Sequence, residues 1–191
     1  MLNLSNPKDR EKLEQLLADD IDLFCQTYYE QGHRNHLGAS GLGEPCWRKL
    51  WYSFRWAKEE RFDGRMMRLF NVGHSAEPRF VSYLKGIGFG VKEFDEDGKQ
   101  FRISGANGHY GGSLDGLCKP PARYEIEGDI VLSLSFKTNG TGAGYDKVSK
   151  ESLQKAKPVH WAQECQYGYK MGIRYCIYMI ENKNDSDITF K

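Results

Sequence analysis

Nothing in this sequence approaches the roughly 20 consecutive apolar residues of a membrane-spanning helix. Its first residues, MLNLSNPKDREKLEQ, turn polar at once and lack the apolar centre of a secretory signal. These two absences predict a protein without a membrane partner that works in the cytoplasm. Cysteine is sparse and scattered: Cys25, Cys46, Cys118, Cys165 and Cys176 include no C-x-x-C pair. Zinc and iron–sulfur sites need tighter clustering, and a reducing cytosol disfavours disulfides, so plain core thiols are expected. An excess of charge is missing too. With 27 basic and 26 acidic side chains the formal net charge is +1, and any surface for nucleic acid has to be local.

What is present describes a folded chain. Its 191 residues suffice for one domain with a real core. Aromatics at 13% and 21 glycines argue for packed structure with tight turns. Leu13, Leu16, Leu17, Ile21, Leu23, Phe24 and Tyr28 form a helical stripe over about 8–31, opened by Asn6-Pro7 and stopped by Gly32. Ser40 then lies in a Gly-rich loop, and Pro45 starts a helix with Trp47, Leu50, Trp51 and Phe54 on one face. Arg48, Lys49 and Arg55 fall between those aromatics. A basic helix behind such a loop can attract phosphate through its free N–H groups and dipole. The plainer alternative is a packing helix with solvated cations.

A further helix is predicted over 64–84, with His74 and Glu77 on its middle turns and Gly86, Gly88 and Gly90 ending it. Strands are expected at 91–94, 101–104 and 110–118, with Asp95 to Lys99 as a hairpin turn. The apolar run 129–137 reads as a central strand buried on both faces. After a Gly-rich loop at 139–144 come a helix over about 158–171 and a closing hairpin, 175–180 with 188–190. This order predicts a mixed sheet flanked by helices.

Tyr110-Gly-Gly-Ser-Leu-Asp-Gly116 sets Asp115 in a strand whose glycines admit close approach by a ligand or another strand. Some twenty residues on, the central strand ends Ser135-Phe136-Lys137-Thr138. Side chains alternate along a strand, so Ser135 and Lys137 share a face while Phe136 turns into the core. An acid on one strand facing a lysine on its partner suits metal-assisted phosphodiester hydrolysis. The carboxylate holds Mg²⁺ (or Mn²⁺), the metal lowers the pKa of bound water, and the lysine orients or helps deprotonate that water. Taken singly, Asp115-Gly116 is also a turn signal and Lys137 a strand-end cation. The helix at 158–171 shifts that balance, because His160, Gln163 and Tyr167 sit at offsets of three and four on one face. Such a face suits contacts to phosphate and metal-bound water.

In this order, Gly-Ser-Leu-Asp-Gly, a strand ending Phe-Lys-Thr, and a helix with His-x-x-Gln and Gln-x-x-x-Tyr resemble the PD-(D/E)XK nucleases. Within them the pattern is most similar to the lambda-exonuclease-like and RecB-like branch found in phages. The resemblance covers about residues 36–190, and segments 40–56 and 64–80 resemble the two helices that precede the nuclease strands. It implies an α/β (α+β) fold: a restriction-endonuclease-like core with a central mixed sheet flanked by helices, preceded by N-terminal helices. A single domain, 1–191, would comprise a helical segment at 1–60 and a nuclease core at 61–191.

The resemblance makes Asp115 the metal-binding aspartate, Lys137 the catalytic lysine and Glu77 an added metal ligand, with the Phe136 carbonyl as a further metal oxygen. Gln163 and Tyr167 would steady the site. Ser40, Arg48, Arg55, Arg65, Arg68 and His160 would contact DNA. It further implies Mg²⁺ or Mn²⁺ as cofactor and DNA as partner. A second copy of the chain, or a phage recombination or replication protein, would be a further partner, in the host cytoplasm.

One departure stands out. The family pattern places Glu or Asp two residues before the lysine, where this chain has Ser135. A hydroxyl is a weak ligand for a hard cation, and its substitution for a carboxylate should slow the reaction by orders of magnitude. Three explanations follow: an engineered inactivation, a natural relative that binds DNA or a protein without cutting, or a carboxylate moved elsewhere, with Glu77 ahead of Glu164. A hydrolase using Ser135 as nucleophile and His160 as base lacks the G-x-S-x-G elbow.

Overall fold

The computed structural model describes residues 2–29, 34–57, 61–142 and 144–191. Its elements run α1 (Pro7–Tyr28), β1 (Leu37–Gly38), α2 (Trp47–Phe54), α3 (Gly64–Gly86), β2 (Gly90–Lys92), β3 (Arg102–Gly105), β4 (Tyr110–Ser113), β5 (Gly116–Lys119), β6 (Leu132–Asn139), α4 (Tyr145–Lys150), α5 (Leu153–Ala156), α6 (Pro158–Met171), β7 (Tyr175–Asn182) and β8 (Ile188–Phe190). The protein is α+β, with mixed sheets flanked by helices.

Contacts divide the chain into two compact units, residues 1–33 with 59–74 and residues 34–58 with 75–191. This division does not follow the expected boundary at residue 60. Segment 34–58, assigned from sequence to the helical N-terminus, belongs to the unit that carries the sheets. In the first unit, the Asn6 side chain accepts from the Lys8 N–H at 3.0 Å and Pro7 opens α1. A Cβ on Gly64 would fall 2.1 Å from the Asp22 carbonyl oxygen, so only glycine permits this approach to α1. Asp22 also pairs with Arg68. Much of the α1 stripe stays exposed, including Leu16, Leu17, Ile21, Leu23 and Phe24, while Cys25 is buried. The predicted stop at Gly32 lies outside the described residues.

The larger unit holds a five-stranded sheet ordered β2-β5-β6-β7-β8 and a three-stranded sheet ordered β1-β4-β3. In the larger sheet β6 and β7 run parallel, which requires a crossover, supplied by α4, α5 and α6. Strand β6 lies in the middle of that sheet. Leu132, Leu134 and Phe136 pack with Ala76, Phe80, Val81 and Leu84 of α3, together with Cys118 and Met179. Tyr178 and Ile180 of β7 pack instead with Tyr145 and Val148 of α4 and Leu153 and Ala156 of α5.

Two expectations need correction. The stretch 110–118 is not one strand: β4 belongs to the small sheet and β5 to the large one, so Asp115 sits at the crossing between them. The cysteines are free, as expected, but they are not all in the core. Cys25 and Cys118 are buried, whereas Cys46 and Cys165 are exposed. Cys46 precedes the first turn of α2, and Cys165 follows the inward-facing Glu164 on α6, so neither position points to an apolar interior.

Candidate active site

Four segments of the larger unit come together around Lys137: the middle of α3, the β4–β5 crossing, the end of β6 and the first turns of α6. The β5–β6 register begins at Gly116 opposite Leu134, so β6 loses its antiparallel neighbour beyond that point. Asp115 takes over. Its Oδ2 accepts the Phe136 backbone N–H at 2.6 Å and stands 3.8 Å from Lys137 Nζ. A strand residue turns its N–H and C=O toward the same neighbour, so the Phe136 carbonyl opens on the edge that Asp115 occupies.

The charge of Lys137 reaches several titratable groups. Glu77 of α3 is pushed up to about 7, chiefly by burial and then by the negative charge of Asp115, with Lys137 acting the other way. Burial, followed by the charges of Lys137 and Lys157, lowers His160 to about 4. Burial raises Glu164 above the usual carboxylate range, against the pull of Lys137 and of the nearby Ser135 hydroxyl and Cys176 thiol; Asp115 adds to the rise.

Helix α6 fixes the arrangement from the other side. Tyr167 donates to the Ser113 carbonyl at 2.8 Å and receives a hydrogen bond from Gln163 at 2.9 Å, which pins the end of β4 two residues before Asp115. Gly112 makes this possible, since a Cβ there would come within 2.7 Å of the Ala39 Cβ and 2.8 Å of the Tyr167 hydroxyl. His160 is not on a free polar surface. Its Nδ1 lies 2.6 Å from the Tyr178 hydroxyl in a half-buried pair. Ser135 is buried, 2% exposed, on the sheet side that faces α6.

The structure therefore brings together Glu77, Asp115, Ser135, Phe136, Lys137, Gln163 and Tyr167. The residues assigned to DNA are distributed differently. Ser40, Arg48 and Arg55 are exposed on the larger unit, with the Arg55 guanidinium 5.9 Å from the Trp51 ring centre. Arg65 and Arg68 belong to the smaller unit, where Asp22 already engages Arg68. Sequence reasoning did not place Tyr178 beside His160, nor Glu164 in the interior with Cys176 as its neighbour. For Glu164 a signal existed: 160, 163, 164 and 167 together make the three-and-four spacing of one inward helical stripe.

No family model matches this sequence, and no curated protein matches it significantly. A solved structure described as "Crystal structure of SSO0001" is similar in fold, with a TM-score of 0.50 and 13% sequence identity over 92% of this chain and 77% of that one. At that identity the likeness concerns the fold alone.

Proposed function

We propose that this protein is a divalent-metal-dependent deoxyribonuclease of the PD-(D/E)XK type, hydrolysing phosphodiester bonds, with a phage-type exonuclease of recombination or genome processing as its nearest functional class. The observation that carries this reading is the placement of Lys137 Nζ 3.8 Å from Asp115 Oδ2, with Glu77 close enough to feel both charges. Among the described residues, no three His, Cys, Asp or Glu side chains form a ready-made metal cage. Mg²⁺ does not require one, because it keeps several waters and is held by one or two carboxylates plus a substrate phosphate. Asp115 and Glu77 fit that demand, since a bound cation would offset both the burial and the Asp115 charge that raise Glu77. Mg²⁺ or Mn²⁺, when bound, would polarise the phosphate and acidify a water. Asp115, Glu77 and the Phe136 carbonyl would hold the metal, and Lys137 would orient the attacking water and offset charge on the phosphate. Gln163 and Tyr167 keep the aspartate in place. Arg48, Arg55 and Ser40 would meet the DNA backbone, and the exposed stripe of α1 is where we place a protein partner.

The test is cleavage of linear duplex DNA with Mg²⁺ or Mn²⁺, with chelator and Lys137→Ala as controls. We expect metal-dependent cutting that Lys137→Ala lowers by roughly 10²–10⁴-fold. Absence of cutting on any DNA form sinks the catalytic reading. Ser135 and the lack of a three-ligand group among the described residues favour a second reading, a non-cleaving nuclease fold that binds DNA. It predicts salt-sensitive binding without hydrolysis in the same assay.

A further inference from the structure

Helix α2 carries a surface that its packing does not explain. Successive residues of a helix are about 100° apart, so Trp47, Arg48, Trp51, Tyr52 and Arg55 lie within one arc of about 140°. From the sequence, Trp47 and Trp51 share a face with Leu50 and Phe54. The structure separates the two pairs. A Cβ on Gly41 would touch Leu50 at 3.6 Å, and Phe54 meets His109 edge-on at 5.6 Å between ring centres, so Leu50 and Phe54 are what α2 turns inward. Trp47 is 84% exposed, Trp51 56% and Tyr52 45%. Tyr52 stands edge-on to Trp51 at 5.3 Å, and Arg55 lies over the same indole. The arc contains no acid: Glu44 lies before the helix and is engaged by Lys49.

We propose that this face binds single-stranded DNA, with bases stacked on Trp47 and Trp51 and phosphates held by Arg48 and Arg55. Charge complementarity and ring spacing select this occupant. Cations without an acid among them match a polyanion, and flat exposed rings between the cations match its bases, whatever their order. Four residues of helix rise by about 6 Å, against about 3.4 Å per nucleotide along a duplex strand. The two indoles therefore suit neighbouring bases of a strand drawn out of its stack. A duplex keeps its base faces covered and would leave the indoles unused. The platform also stands on segments that surround Lys137. A Cβ on Gly43, four residues before Trp47, would fall 2.6 Å from Val159 Cα in the first turn of α6, and His109 leads directly into β4. The inference rests on the reading of this chain as a DNA-handling nuclease fold and deepens it by naming the form of its substrate.

The experiment measures binding of fluorescent oligothymidylate by anisotropy in EDTA, beside an abasic oligomer of the same length and a blunt duplex. It uses the full chain and Trp47→Ala, Trp51→Ala, Trp51→Phe and Arg48→Gln. Oligothymidylate should bind about 10-fold or more tightly than the abasic oligomer. Each change of tryptophan to alanine should weaken it by about 5-fold or more, with abasic binding and the thermal midpoint unchanged, and Trp51→Phe should retain part of the loss. Arg48→Gln should weaken both oligomers alike and reduce the salt slope by about 0.7. Equal binding of the two oligomers, or tryptophan variants that bind like the parent, overturns the proposal. So does a face that prefers no single strand but shifts its tryptophan emission on phosphatidylserine vesicles, or that self-associates until Trp47→Ala breaks the contact. Cleavage with Mn²⁺ by a chain that shows no base preference overturns this site and leaves the nuclease reading standing. Base-dependent binding by a chain that cuts no DNA supports this site and sinks the catalytic reading alone.

Discussion

The two faces of β6 alternate residue by residue yet obey opposite rules. Toward α3 the strand presents Leu132, Leu134 and Phe136, closed into an apolar cluster with Phe80 and Val81. Toward α6 it presents Ser133, Ser135 and Lys137, beside Glu164, Cys176 and the His160–Tyr178 pair. One face is packed to exclude water and holds the strand by burial. The other gathers groups whose burial is costly and shifts their ionisation, with the charge of Lys137 acting second. A strand in the middle of a sheet can carry both, because the period-two alternation keeps them apart.

The sharpest way to break this comparison is Phe136→Ala. The ring packs against Phe80 at 5.5 Å between centroids, and its loss should cost about 3–5 kcal/mol in urea unfolding. A loss under about 1 kcal/mol would mean that the α3 face is not what holds the strand.

A pH series sharpens it further. His160 faces Tyr178 across from β7, Lys137 on β6 and Lys157 on its own helix, and its folded value of about 4 lies below the ordinary 6.5. As pH falls the unfolded chain takes up the imidazole proton first. The contribution of His160 is therefore complete above pH 6.5 and is lost as pH falls from 6.5 toward 4, on the order of 3 kcal/mol. His160→Asn should flatten that part of the unfolding profile, whereas Phe136→Ala should leave its slope intact. An unchanged slope in His160→Asn would assign the acid sensitivity elsewhere.

The smallest effect is expected from Tyr167→Phe, which removes the hydrogen bond to Ser113 and should cost about 0.5–1.5 kcal/mol. Under the nuclease reading cleavage should fall by more than this stability change explains, because the freed end of β4 lets Asp115 drift. Equal activity in both proteins would reduce Tyr167 to a packing residue.

Helix α6 was legible from end to end, since Pro158 opens it and Gly172 closes it in the left-handed region at φ 66°. The sharing of a face by Ser135 and Lys137 was equally readable, because it follows from alternation alone. Pattern could not say which neighbour an extended segment pairs with, so 110–118 looked like one strand although it serves two sheets. Helices α4 and α5 are short and lack a periodic stripe. Their inward residues, Tyr145, Val148, Leu153 and Ala156, gain meaning only against Tyr178 and Ile180. Segment 34–58 looked helical and N-terminal, and its membership of the larger unit depends on tertiary contacts that local composition does not encode. The burial of Glu164 was not legible, because acids on a helix are usually solvated and its enclosure appears only once the sheet lies across it.

The crossing at Asp115 also governs when the site can exist. Its carboxylate is held by a backbone N–H 21 residues away, and the strand before it is pinned by a tyrosine 54 residues downstream. Such distant closures form late in folding, after local helices and turns. As the chain leaves the ribosome, Asp115 emerges well before Lys137, and Lys137 before Tyr167. A growing or partly folded chain therefore carries the acid and the lysine as unconnected groups, and the constellation assembles only when both sheets and α6 have docked.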